Sequence, residues 1–244
     1  MYDKYEGIEE IIEETTFYNS DGPETDVEHK TFNNSMDLIS LQRFNEANKL
    51  IWLNLYKYDS LGRRIRLDNK KWINIIGYQT SYTTYEYDEQ NNFVEVSYNS
   101  ANQPLSIFAY YFDDKHNLIR LENYDQTGSL FGYETATYDI ETNRMRVNVY
   151  DNQNNLKSSN ERPIRHEGEY QQDSKNKYNE HGDIIYWDRG WNKDDNVCYT
   201  VDYKYDDNGY WISQKRYSYE KTDEGKLKKK KLKMVKTRKI KMRK

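Results

Sequence analysis

Residues 98–125, YNSANQPLSIFAYYFDDKHNLIRLENYD, decide the fold. Three aromatics here, Tyr98, Phe112 and Tyr124, are each followed at once by Asn or Asp. Those side chains cap tight turns, and the Asn and Gly that often come next accept the positive φ such turns require. Between the turns, Leu105 and Ile107, then Ile119 and Leu121, flank the polar Ser106 and Arg120. Apolar residues two apart mark a strand with one apolar face.

The unit extends along the chain. The same anchor, an aromatic followed by Asp or Asn, stands at Tyr2, Tyr18, Phe32, Phe44, Tyr58, Tyr87, Tyr138, Tyr150, Tyr178, Trp191 and Tyr205. Successive anchors lie 11 to 16 residues apart, except for gaps of 28 and 29 that each hold one decayed unit. Seven and nine residues past an anchor come Ile39/Leu41, Ile51/Leu53, Ile65/Leu67, Val94/Val96, Met145/Val147 and Ile185/Trp187. Strands joined by tight turns run up and down and pair antiparallel. The expected fold is all-β: a tandem antiparallel meander of short repeats in an extended, twisted or partly rolled sheet. One face is expected to be aliphatic and buried, the other to carry Tyr, Arg and Ser.

Two aliphatics per unit contribute roughly 3–6 kcal/mol, whereas ordering about 13 residues costs about 1–2 kcal/mol each. Backbone ladders and cross-strand aromatic pairs must make up the difference. Most of the 25 tyrosines are therefore structural first.

Mean hydropathy is -1.20, far toward the polar end, but 15% aromatic content and a regular repeat argue for a folded chain. A single cysteine, Cys198, excludes an intramolecular disulfide framework. No apolar run approaches the roughly 20 residues of a membrane helix, and Met1 leads straight into a repeat with no leader-type stretch. Charge is uneven. Residues 226–244 hold 12 Lys or Arg and no acid, and the 225 residues before them carry 25 basic against 41 acidic side chains. The organisation expected is a β-repeat domain over 1–225 and a lysine-rich tail or edge strand over 226–244, since lysines on an edge block sheet aggregation. A polybasic arm for an anionic partner is the rival reading, and neutralisation of the acidic body a third. An acidic body argues against a nucleic-acid partner.

The segment Leu55-Tyr56-Lys57-Tyr58-Asp59-Ser60-Leu61-Gly62-Arg63 resembles the Tyr-x-Tyr-Asp-x-x-Gly-Arg core of the RHS/YD repeat family. Tyr203–Gly209 and Tyr85–Asn91 are similar to it. The resemblance implies β-sheet shells of bacterial secreted or surface proteins, which bind carbohydrate or protein rather than catalyse. It points to an exported or surface-associated binding or scaffold module. The alternative is an intracellular immunity-type protein that meets a toxin.

No constellation suggests catalysis, and no cofactor or metal is expected. His29, His116, His166 and His181 lie far apart, with no partner at metal or triad spacing. Asp113-Asp114, Asp194-Asp195 and Asp206-Asp207 lack the alternating ligands of a calcium loop and suit turn capping. Cys198 suits a small core position. The remaining candidate is the polar face, where Tyr56, Tyr110, Tyr186, Arg66, Arg120 and Arg146 are expected to lie together and to bind carbohydrate or protein through many weak contacts.

Overall fold

The turns set the geometry of everything else. The computed structural model describes residues 7–164, 176–188, 197–222 and 224–243; Tyr2, His166, Trp191 and Asp194-Asp195 lie outside the described residues. Turns open at Asn33, Asn45, Asp59, Asp88, Asn99, Asp113, Asp125, Asp151, Asn179 and Asp206. In each, the opening residue donates its backbone N–H to the carbonyl four residues on and accepts the N–H three residues on. The side chain adds to this: Asp59 Oδ1 takes the N–H groups of Leu61 and Arg63, both at 2.9 Å. Where Gly62 stands, three residues past Asp59, φ is +77°, and His116 takes the same place after Asp113 at +62°. These are type I turns closed by one left-handed residue.

Between turns the chain is strand. In order these are β1 (Ile8–Asn19), β2 (Gly22–Phe32), β3 (Leu38–Phe44), β4 (Leu50–Tyr58), β5 (Arg64–Ile73), β6 (Gly77–Tyr87), β7 (Phe93–Asn99), β8 (Pro104–Phe112) and β9 (Leu118–Tyr124). They continue as β10 (Leu130–Asp139), β11 (Arg144–Asp151), β12 (Leu156–Pro163), β13 (Lys177–Tyr178), β14 (Ile184–Asp188), β15 (Val197–Tyr205), β16 (Trp211–Lys221) and β17 (Leu227–Met242). No helix occurs among the described residues, and every pairing given below is antiparallel, so the fold is the all-β meander expected.

The chain divides into two compact units, residues 52–166 and residues 1–51 with 167–244. In the first, β4 to β12 pair in chain order. In the second, β13 to β17 pair in order, β17 pairs with β1, and β1 leads on to β2 and β3. The lysine-rich segment is therefore neither a tail nor an edge. It is a 16-residue strand with a neighbour on each side. The neighbour explains its composition: β1 reads IEEIIEE, and Lys241 meets Glu9 at 2.8 Å while Arg238 lies opposite Glu13.

One feature was not visible as periodicity. Tyr58 faces Arg64 but Lys57 faces Arg66, which leaves Ile65 as an extra residue in a β-bulge. The same slip falls at Ile39, Leu105, Ile119, Phe131, Lys157, Ile185 and Ile212. The β6–β7 hairpin lacks it, with Tyr87 opposite Phe93 and Glu86 opposite Val94. A bulge shifts the two-residue alternation by one, so side chains that follow it change faces.

The single aliphatic face consequently does not form. Following the register from Arg66 through Thr84, Val96 and Ile107 to Arg120 and Arg146 places all of them on one side of the sheet. Leu53 and Val94 share that side with the arginines. Leu67, Leu121, Met145 and Val147 lie on the other. Ile51 belongs to the second unit. Bulge residues are also poorly covered: Leu105 is 50% exposed.

Deep burial is concentrated in the second unit. Ile8, Ile11 and Phe32 form a core with Met36, Leu38, Tyr210 and Ile240 packed on it. Cys198 is fully buried, as its position suggested, and Val201 and Met234 nearly so. In the first unit Ala109 and, directly opposite it, Glu122 are the buried pair. Glu122 accepts hydrogen bonds from Tyr111 Oη (2.8 Å), Tyr124 Oη (2.5 Å) and Arg120 Nε (2.8 Å). Burial opposes its charge, but these donors outweigh it and hold the carboxyl below its ordinary value.

Candidate binding face

The six candidates do not share a surface. Arg66, Arg120 and Arg146 lie on one face of the first unit, which we call the arginine face. Tyr56 and Tyr110 lie on the opposite one, and Tyr186 is on β14 of the second unit. The cause is again the bulge, which turns Arg66 and Arg120 away from the tyrosines that a strict alternation assigns to them.

Each arginine is already engaged. Arg66 pairs with Asp68 at 2.7 Å and lies 4.2 Å over the Tyr82 ring. Arg120 pairs with Glu122 and lies 4.0 Å over Tyr133. Arg146 reaches Glu161 at 3.5 Å. Stacked pairs Tyr82–Tyr98 and Tyr133–Tyr150, at 4.7 and 4.8 Å, complete the arginine face. Its functional groups are spent on one another.

The aromatic face is different. Across β4 to β8 it carries Tyr56, Tyr85, Phe93, Tyr110 and Phe108, none of them fully buried. Phe93 stacks on Tyr110 at 4.4 Å and leans on Tyr85 at 6.2 Å, and Phe108 lies 6.5 Å from Tyr110. The bulge after Asp59 delivers Arg64 to this side, opposite Tyr58, where its guanidinium lies 4.8 Å from the Tyr56 ring and 6.0 Å from Tyr85. Tyr87 Oη donates to the Arg64 carbonyl at 3.0 Å and fixes the backbone there.

Glu95 stands within this row, directly between Tyr85 on β6 and Phe108 on β8. It has no ion pair or side-chain hydrogen bond among the described residues. Burial pushes its carboxyl up, against the lowering effect of the Arg64 charge. A half-buried carboxylate with free acceptor capacity, set between rings and near a guanidinium, can take hydroxyl or amide donors from a ligand lying flat on the sheet. Of these residues, Tyr56 and Tyr110 were legible as candidates. Arg64 and Glu95 were missed. Glu95 carried a signal, because it fills the polar eighth position after Tyr87 with an acid where Ser or Arg is commoner.

No protein-family model matches the sequence, and no curated protein does. Among solved structures the chain is similar to a porin-like protein from Bacteroides uniformis, at 10% identity and a TM-score of 0.43, covering 97% of each chain. It is also similar to the TcdB2-TccC3-Cdc42 structure, at 11% identity and a TM-score of 0.36, covering 92% of this chain and 14% of that one. The Photorhabdus luminescens Tc holotoxin pore matches at 11% identity and a TM-score of 0.33, over 84% of this chain and 13% of that one. The chain is an all-β protein of tandem strand–turn units with an aromatic face on its first unit.

Proposed function

We propose that this chain is a non-enzymatic β-repeat binding module, exported or surface-associated, that takes carbohydrate on the aromatic face of β4 to β8. The observation that carries this reading is Glu95, an unpaired carboxylate flanked by Tyr85 and Phe108 in a row of rings. A sugar offers both surfaces such a row accepts, an apolar ring face and a rim of hydroxyls. The face is open, so affinity comes from repeated weak contacts along an oligosaccharide.

An array of neutral, amino and acidic oligosaccharides tests it. Binding should fall at least tenfold in Tyr85→Ala and in Glu95→Gln, with thermal midpoints within a few degrees of the parent. Unchanged binding in both variants would refute the assignment. Capture of a protein through the same residues, with no glycan bound, would favour the immunity-type alternative.

A further inference from the structure

The aromatic face changes character beyond Phe108. At the turn that opens at Asp125, the bulge consists of Phe131 and Gly132. Other bulges described here place an aliphatic or a Lys in the first of these positions and Ser, Arg or Tyr in the second. Here the first is an aromatic, 71% exposed, and the second has no side chain. Nor can Gly132 acquire one cheaply, since a Cβ there would sit 2.7 Å from the Tyr150 carbonyl oxygen.

Gly132 lies opposite Asn123 on β9 and Asp151 on β11, so the missing side chain leaves a gap in the aromatic face between them. The result is a cavity of about 530 Å³, within the range of small-molecule sites. Phe108, Leu121, Val149 and Phe131 supply its apolar walls.

The polar groups narrow the ligand. Asp151 is spent, because it caps its turn and binds Lys157 at 2.6 Å, and Lys157 is neutralised by the same contact. Asn123 and Glu134 also line the cavity and make no side-chain hydrogen bond or ion pair among the described residues. The site thus offers the free amides of Asn123 and Asn152 and one free carboxylate against apolar walls, with no free cation. An anionic ligand would meet uncompensated negative charge. A hydroxyl-rich, uncharged ring meets its requirements on both sides.

We infer that the gap at Gly132 is a pocket for one neutral pyranose ring, stacked on Phe131 and hydrogen-bonded to Asn123 and Glu134. The inference rests on the carbohydrate reading above and adds a defined subsite at the far end of the same face. Phe108, shared by the row and the cavity, makes the two continuous.

A monosaccharide of about 13 non-hydrogen atoms, at the efficiency usual for larger ligands, has a Kd on the order of 1 mM. Saturation-transfer NMR works in that range. The probes are the methyl glycosides of glucose, galactose and mannose, N-acetylglucosamine, and glucuronic acid as the anionic control. Transfer to a neutral sugar is expected, falling at least fivefold in Phe131→Ala and in Glu134→Gln while persisting in Tyr85→Ala. Both pocket residues are exposed, so the variants should keep the parent's thermal midpoint, which is checked alongside. Transfer lost in Tyr85→Ala but kept in Phe131→Ala would overturn the pocket and leave the aromatic-row reading standing. Preferred binding of glucuronic acid would also overturn the pocket. Absence of any transfer, together with a blank oligosaccharide array, would remove both readings.

Discussion

Arg238, near the end of the last strand, grips Glu13 on the first: its Nε and Nη2 reach Glu13 Oε1 at 2.9 and 2.7 Å. Both side chains are nearly inaccessible to water, and Arg238 also lies 3.5 Å over the Trp211 ring. Lys30 Nζ holds the other carboxylate oxygen at 2.7 Å. Burial works against the Glu13 charge, but Lys30, Lys236 and Arg238 prevail and bring its pKa from 4.5 to about 2. A folded-state pKa below the unfolded one gives stability that is present above pH 4.5 and is lost as pH falls toward 2. The thermal midpoint of the parent should drop across that window. Glu13→Gln, which leaves Arg238 buried without its counter-charge, should cost about 3–5 kcal/mol at neutral pH and flatten the acid limb. A variant with the parent's pH profile would show that this cluster does not govern acid stability.

Ile75 tests the turns. It is fully exposed at φ +77°, a region that penalises a β-branched residue. Ile75→Gly relieves the strain and should stabilise by about 1 kcal/mol, or roughly 2–4 °C in Tm. A lower midpoint would mean that the side chain is held by contacts outweighing the strain.

Burial on the arginine face is decided by position relative to the bulge. Ala109 is 3% exposed, whereas Leu105, one of the apolar positions that define the repeat, is half exposed. Ala109→Asp should cost several kcal/mol through an unpaired buried charge, and Leu105→Asp under about 1 kcal/mol. Denaturant titration of the two distinguishes them, and equal costs would contradict the bulged register.

The three arginines should matter to stability and not to ligand. The exposed ion pairs of Arg66 and Arg146 are worth about 0.2–1 kcal/mol each and each ring contact about 0.5–1 kcal/mol, while losing Arg120 also takes a donor from the buried Glu122. Replacing Arg66, Arg120 and Arg146 together by Ser should lower Tm by several degrees and leave oligosaccharide binding within about twofold. Loss of binding at an unchanged Tm would move the site to their face.

The repeat itself was legible because its signal is local. An aromatic, an Asx and a left-handed residue three positions later form a turn from side chains that neighbour one another in sequence. Face assignment was not, because it depends on Ile65 and its counterparts. An extra residue that leaves the hydrogen-bond ladder looks, in sequence, like any other apolar position seven residues past an anchor. The fate of the lysine-rich segment was hidden for a different reason. Its partner β1 lies more than 200 residues away, and only the acids at Glu9, Glu10 and Glu13 hinted at a complement. Of the aromatic face, Tyr56 and Tyr110 were recoverable from the Tyr-rich units, but Arg64 reached them only through the bulge.

The pairing of β17 with β1 also orders events in time. Residues 52–166 are joined by hairpins between strands adjacent in sequence, so their contacts can form within microseconds to milliseconds of emergence. The other unit cannot complete its sheet until residue 242 is available to meet Ile8. Until then Glu13 has Lys30 of β2 but lacks Lys236 and Arg238, and Glu9 lacks Lys241; the negative charge left on that edge discourages premature pairing with another copy. On a ribosome adding about 5–20 residues per second, β1 waits on the order of ten seconds or more between its own synthesis and that of β17.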